Sequence, residues 1–145
     1  MKDATEYAKP LPVRDAENAP YYDALQRHEL RMQRCVEGHY RFPVSPVCPE
    51  CLSPSYEWEP VSGRGTIYSF VIVHQQYDAG FKGETPYNVA VVELEEGPRL
   101  VTNIVGCDNA GLRIGMPVHV TYDDVTPEFT LARFAPADEA AMAHA

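Results

Sequence analysis

SGRGTIYSFVIVH, Ser62 to His74, is where the chain changes character. Upstream lie short polar pieces punctuated by proline. From Gly65 onward come runs rich in β-branched and aromatic residues, the composition of strands. Five follow one another: Thr66–His74, Tyr87–Leu94, Arg99–Val105, Pro117–Asp123 and Glu128–Phe134. Glu95-Glu96-Gly97-Pro98 reads as the hairpin turn between the second and third. Residues 108–116 (DNAGLRIGM) have room for one short helical turn before Gly115 and Pro117 open the fourth run. Five strands with a helical insert between the third and fourth suit a five-stranded Greek-key barrel, the OB-fold. Periodicity alone leaves a β-sandwich fragment open. Candidate core residues are Val71, Val73, Val89, Val91, Leu100, Val118, Val120 and Leu131, of which alternation places only one parity of each run inward.

Working toward the N-terminus, Tyr56–Val61 is another strand, with Trp58 as an aromatic plug. Leu30, Met32 and Arg34 alternate with Arg31, Gln33 and Cys35, which marks one more. Between these lies CVEGHYRFPVSPVCPEC, Cys35 to Cys51, two turn-like ends flanking an extended Tyr40–Pro43. Asn18 is expected to cap a short helix, with Pro20 in its first turn, Tyr21, Tyr22 and Leu25 on its apolar side, and its end near His28. The expected fold is mainly β: an arm and helix over residues 1–29, a ribbon over 30–61, a barrel over 62–136 and a flexible tail over 137–145.

The 145 residues are 45% apolar and 23% charged, as in globular domains. The formal net charge is −9, which argues against neutralising nucleic-acid phosphates and against docking on an anionic membrane. The longest nearly apolar run, Ile67–Val73, is far short of the roughly 20 residues of a membrane helix. The N-terminal stretch has no apolar core of the secretory kind. A cytoplasmic protein is expected.

Cys48-Pro49-Glu50-Cys51 carries the strongest chemical signal. Two thiolates two residues apart can grip one tetrahedral Zn²⁺ from a single turn. A closed structural site needs four ligands. Cys35 lies upstream at a span that suits two knuckles joined by a hairpin. A second Cys-x-x-Cys would close at position 38, which is Gly38; His39 follows it. Cys35, His39, Cys48 and Cys51 therefore form a candidate Cys₃His zinc set. The alternative is a metal-free ribbon held by Tyr40, Phe42 and Trp58. Redox use is disfavoured, because no strand–helix context surrounds the pair.

The loop His74–Tyr87 is too long for a plain hairpin and carries Tyr77, Phe81 and Tyr87. Such aromatics cover a core edge or meet a partner. Arg64, between Gly63 and Gly65, could face a phosphate, although such glycines more often let a strand bend. Arg99 and Arg113 are further candidate anion contacts. Cys107 is read as a small buried cysteine, the alternative being a nucleophile with His74 or His119 as its base. No Ser-His-Asp signature, P-loop or dinucleotide fingerprint is present, so no self-sufficient active site is legible.

QRCVEGHYRFPVSPVCPEC, EWEPVSGRGTIYSFVIVH, PYNVAVVELEEGPRLVTNIVGC and RIGMPVHVTYDD, in that order, closely resemble the domain-of-unknown-function-35 family, from about Tyr21 to Pro136. The resemblance implies a rubredoxin-like zinc ribbon followed by an acyl-CoA-associated OB-fold. It implies a non-catalytic subunit that partners thiolase-fold proteins (thiolases, lipid-transfer-type thiolases, aldolases or acyltransferases) and helps bind or channel an acyl-CoA. The sequence departs from the family at Gly38, where zinc-binding members have cysteine; Cys35, Cys48 and Cys51 match the other three ligands. Arg64, Tyr77, Phe81, Tyr87, Arg99 and Arg113 are then the candidate contacts to CoA or partner. A free-standing acyl-CoA-binding module is the alternative. Single-strand nucleic-acid binding, which needs aromatics in a basic groove, is disfavoured by the acidic composition.

Overall fold

A computed structural model describes residues 7–137. The order is α1 (Ala19–Gln26), β1 (Arg31–Cys35), β2 (Tyr40–Arg41), β3 (Tyr56–Pro60), β4 (Arg64–Val73), β5 (Tyr87–Leu94), β6 (Arg99–Thr102), β7 (Pro117–Asp124) and β8 (Thr130–Pro136). The expected flexible tail lies, from residue 138, outside the described residues. No helix among the described residues is long and apolar enough to cross a membrane.

Asn18 stands at the N-cap position of α1, but its side chain does not cap the helix. Its Oδ1 accepts instead from the Asp15 amide, while the Asp15 carboxylate accepts from the Asn18 amide, each at 2.8 Å. This reciprocal turn steers the chain into the helix. Tyr21, Ala24 and Leu25 form the buried side. At the other end His28 adopts a left-handed φ of 60°. Its amide bonds to the Leu25 carbonyl, and the Glu29 amide to that of Ala24, the Schellman closure that glycine usually makes. Here tertiary contacts hold it: His28 stacks on Tyr122 at 5.0 Å and bonds to the Asp124 carboxylate.

Strands β1–β3 form a small antiparallel sheet in the order β2-β1-β3. Gln33 lies opposite both Arg41 and Trp58, and Cys35 opposite Tyr56. These five side chains therefore share one face. The remaining strands form an antiparallel sheet in the order β6-β5-β4-β7-β8. It curls until its edges meet. Ile104 makes a parallel bridge to Phe134, and the Val105 amide donates to the Phe134 carbonyl at 2.8 Å. The helical insert is a 3-10 turn at Asn109–Gly111. Architecture and strand order agree with a partly closed OB-fold barrel.

One core joins all three parts. Tyr21 and Leu25 from the helix, and Leu30 and Met32 from the ribbon, pack with Ile67, Val92, Val118 and Phe134. Of the expected core, Leu100 and Val118 are buried, and Val120 packs half-buried against the cluster. Val71 is 59% exposed, and Val73, Val89, Val91 and Leu131 are only partly covered. Two features explain the correction. The inward set of β5 is Asn88, Ala90, Val92 and Leu94. In β4 the register shifts between Ile67 and Ser69, leaving Tyr68 as the extra residue of a bulge. Parity flips there: Ile67 faces inward before the bulge, Phe70 and Ile72 after it. Gly65 answers a close approach, because a Cβ there would lie 2.4 Å from the Glu93 carbonyl oxygen. Strand β4 can press against β5 at that point only without a side chain.

Candidate metal centre and groove

Cys35, His39, Cys48 and Cys51 converge, with their donor atoms all within 4.8 Å of one another. The Cys35 Sγ to Cys51 Sγ distance is 3.7 Å, and His39 Nδ1 lies 3.4 Å from Cys35 Sγ and 3.8 Å from Cys48 Sγ. A tetrahedral zinc with Zn–S of about 2.3 Å and Zn–N of about 2.0–2.1 Å has edges of about 3.5–3.8 Å. The donor set fits that ion in size and in chemistry.

Local turns place the donors. Cys35 ends β1, and the chain reverses through Gly38 at φ +92°, with the Gly38 amide on the Cys35 carbonyl at 2.9 Å. The left-handed backbone suits glycine, and the donor is the next residue, His39. The second knuckle closes through Leu52, whose amide reaches the Cys48 carbonyl at 2.8 Å. Its approach is pinned from the sheet. Gln33 exchanges two hydrogen bonds with the Ser45 backbone, at 2.9 and 3.0 Å, and Arg41 donates from Nε and Nη2 to the Ser45 carbonyl.

The environment favours thiolates at two of the three cysteines. Burial resists ionisation of Cys35, but the amides of His39 and Glu37, with the neighbouring thiols, outweigh it and bring its pKa down to about 6. The Cys51 amide, aimed at its sulfur, lowers Cys48 against the effect of burial. At Cys51 the lowering by the Ser53 amide is overcome by burial and by the Cys48 and Cys35 thiols, so its pKa rises. His39 is raised by its bonds to Cys48 and then Cys35. Amides directed at sulfur are what a thiolate ligand to a cation requires.

The other candidate residues separate into groups. Phe81 and Tyr87 stack at 4.9 Å and line two adjoining cavities of about 400 and 340 Å³. The cavities share Asn103 and Arg133 as well; Tyr21, Phe42 and Leu100 wall the first, and Asn88 and Cys107 the second. Neither His74 nor His119 lines the cavity that holds Cys107. Tyr77 stands 78% exposed on the loop. Arg64 pairs with Glu95 at 3.1 Å; Arg99 pairs with Glu93 at 2.8 Å and lies over the Tyr68 ring. Both stand at the far end of β5, roughly 20 Å from Tyr87 at about 3.4 Å per residue. Arg113 is exposed on the loop before β7.

Two cations at the groove escaped the sequence reading. Lys9, from the N-terminal arm, pairs with Glu84 at 2.7 Å and lies 5.1 Å over Phe81. Arg133 pairs with Asp123 at 3.4 Å and bonds the Asn103 side chain. Arg133 leaves a faint trace as a charge within the apolar run of β8. Lys9 leaves none, since tertiary folding alone brings the arm there.

Comparison with known proteins matches residues 23–57 to the rubredoxin-like zinc ribbon domain of ChsH2 and residues 58–123 to the ChsH2 C-terminal OB-fold domain. A probable enoyl-CoA hydratase alpha subunit of Thermomonospora curvata is 40% identical over 89% of this chain. The chain spans 40% of that relative's length. A DUF35 domain-containing scaffold protein of Methanothermobacter thermautotrophicus is 38% identical over 71% of this chain and 78% of its own. A benzoylsuccinyl-CoA thiolase subunit, BbsA, of Thauera aromatica is 35% identical over 53% of this chain and 52% of its own. Among solved structures, a chain of an Ltp2-ChsH2(DUF35) aldolase superposes with a TM-score of 0.80 at 39% identity, over 88% of this chain and all of that one. With the ribbon, the half-barrel and their shared core all accounted for, the chain belongs to the DUF35 family.

Proposed function

We propose that this protein is a non-catalytic subunit of a thiolase-fold enzyme complex acting on acyl-CoA esters, with a structural zinc in its ribbon. The observation that carries this reading is the match to the whole length of the DUF35 chain in an aldolase. Its support in the molecule is the groove. The first cavity is walled largely by aromatic and aliphatic side chains, and its volume of about 400 Å³ falls within the range of small-molecule sites. That environment suits an acyl or pantetheine arm. Lys9 and Arg133 stand on the groove itself, and their partners are exposed carboxylates, which phosphates can replace at little cost. Arg64 and Arg99 are held in similar exposed pairs and are assigned, with Arg113, to a more distant anionic contact. Tyr77 is assigned to the partner, because exposed aromatics supply interface anchors.

The zinc would be held by Cys35, His39, Cys48 and Cys51. It would supply no reaction step. It would cross-link two knuckles that otherwise have a two-residue strand between them.

The experiment is to purify the chain with a thiolase-fold partner and measure acyl-CoA turnover with each subunit alone and together. Phe81→Ala with Tyr87→Ala is expected to raise the apparent KM for the ester while assembly persists. Tyr77→Ala is expected to weaken assembly. Full turnover by the partner without this chain would reject the reading. Full-strength CoA binding by the isolated chain would favour the free-standing module.

A further inference from the structure

Arg41 is 4% exposed. Among the described residues no carboxylate lies within ion-pair distance of it. Its Nε and Nη2 donate to a single acceptor, the Ser45 carbonyl, at 3.0 and 2.7 Å. Its guanidinium lies 4.7 Å over the Tyr56 ring. Nη1 has no hydrogen-bond partner, and it is the one buried side-chain nitrogen or oxygen among the described residues in that condition. Burying a cation without a counter-charge, and a donor without an acceptor, is costly on both counts.

Register shows what stands near it. Arg41 is opposite Gln33, and Cys35 is two residues along the same strand on the same face. Tyr56, under the guanidinium, is directly opposite Cys35. Such diagonal neighbours lie about 7–8 Å apart, within reach of a long side chain. The Ser45 carbonyl that Arg41 grips belongs to the segment leading into Cys48, which is fully buried. Arg41 thus lies between the two knuckles, on the face where the sulfurs gather.

The zinc reading supplies the missing charge. Three thiolates and a neutral imidazole around Zn²⁺ leave one net negative charge in a buried place. We infer that Arg41 is the counter-cation of this centre, donating its Nη1 N–H to a metal-bound cysteine sulfur. It is a positioning residue: it neutralises the thiolates and, through Ser45, fixes the second knuckle. Guanidinium would serve better than ammonium, because one fork can hold the Ser45 carbonyl through Nε and Nη2 and still offer Nη1 to a sulfur. The inference rests on the zinc reading of the cluster, and the test separates the two.

The wild-type protein, loaded with ¹¹³Cd and labelled with ¹⁵N-arginine, is examined by NMR. A scalar coupling between an Arg41 η proton and the metal is expected, with slow guanidinium rotation that appears only on metal binding. Zinc affinity is measured by competition with a chromophoric chelator. Arg41→Met is expected to weaken it about 10–100-fold, with partial recovery in Arg41→Lys. In the cobalt form, Arg41→Met is expected to shift the thiolate-to-metal charge-transfer band. A guanidinium that is unchanged by metal in the wild type, or an Arg41→Met variant with affinity within about twofold, would overturn the role of Arg41 alone. A protein that takes up none of the three metals would overturn the zinc reading and the inference with it.

Discussion

Strand β1 of the ribbon buries Gln33 completely, opposite Arg41 of β2, and carries Cys35 on the same face. Strand β5 of the half-barrel buries Ala90, Val92 and Leu94 along its inward face. That face of the ribbon thus sets Gln33, Arg41 and Cys35 among Tyr56 and Trp58, and its sheet includes a strand of two residues. The half-barrel is held by long antiparallel pairings and apolar interdigitation. Neighbouring parts of one chain, joined by a common core, rest on different physics. Directed hydrogen bonds hold the first, joined under the zinc reading by coordination, and area removed from water holds the second. Agents that act on one should spare much of the other, up to the residues they share.

The largest effect should come from the metal. Binding contributes on the order of 10 kcal/mol to the folding of zinc-finger peptides. Chelation, or Cys48→Ser, is expected to remove hydrogen-exchange protection from residues 33–58 while β4, β5 and β7 keep theirs. Met32 sets the boundary, since it is buried in the common core. Simultaneous loss of protection in both regions would erase the distinction. Next comes Phe134→Ala at the point of barrel closure. It is expected to cost about 3–5 kcal/mol in urea unfolding while leaving zinc affinity within twofold. A collapse of metal binding in this variant would show the two parts to be one cooperative unit. Gly65→Ala sharpens the picture within the half-barrel. Its Cβ has no room against the Glu93 carbonyl, so a loss of about 1–3 kcal/mol is expected, again without effect on zinc affinity.

The smallest effect lies at the helix–barrel junction. The Thr130 hydroxyl, and after it His28, hold the Asp124 carboxyl below its usual pKa. The folded state therefore favours the ionised form. Its contribution is complete above the ordinary carboxylate value of about 4 and disappears as pH falls through the lowered folded value. Asp124→Asn should lower Tm slightly at neutral pH and flatten its acid limb. An unchanged acid limb would show that the contact is not coupled to folding.

The elements were legible where the local signal agreed with the tertiary outcome. Pro20 sits in a helix start, Glu95–Pro98 in a turn, and β-branched runs became strands. The inward parity of β5 was not legible, because YNVAVVEL offers apolar side chains on both faces. Its polar residue misleads. Asn88 points inward, where it donates to the Ile104 carbonyl at 2.9 Å and accepts from the Ile104 amide at 2.7 Å. Such exchange makes a buried amide tolerable, and nothing local announces it. The bulge at Tyr68 inverted the reading of Val71 and Val73 for a similar reason: its cause is the pairing with β5. The four clustered donors were legible from spacing, since ligand geometry constrains short intervals. Arg41 was not, because an arginine in an extended segment is ordinarily a solvated one. The groove was half legible. Phe81 and Tyr87 announce themselves as aromatics in a long loop, whereas Lys9 and Arg133 arrive from distant parts of the chain.

Among the described residues the curled sheet closes through the isolated bridge of Ile104 to Phe134, and both cavities open beside that seam, at Asn103 and Arg133. A seam with so few backbone bonds is the least expensive place in the barrel to alter spacing. Insertions or deletions in residues 103–108 can widen or narrow the groove while the helix, the ribbon and the inward face of β5 stay as they are. Under the proposed acyl-binding reading, relatives that take acyl chains of different girth are therefore expected to vary in loop length at the seam more than in core composition.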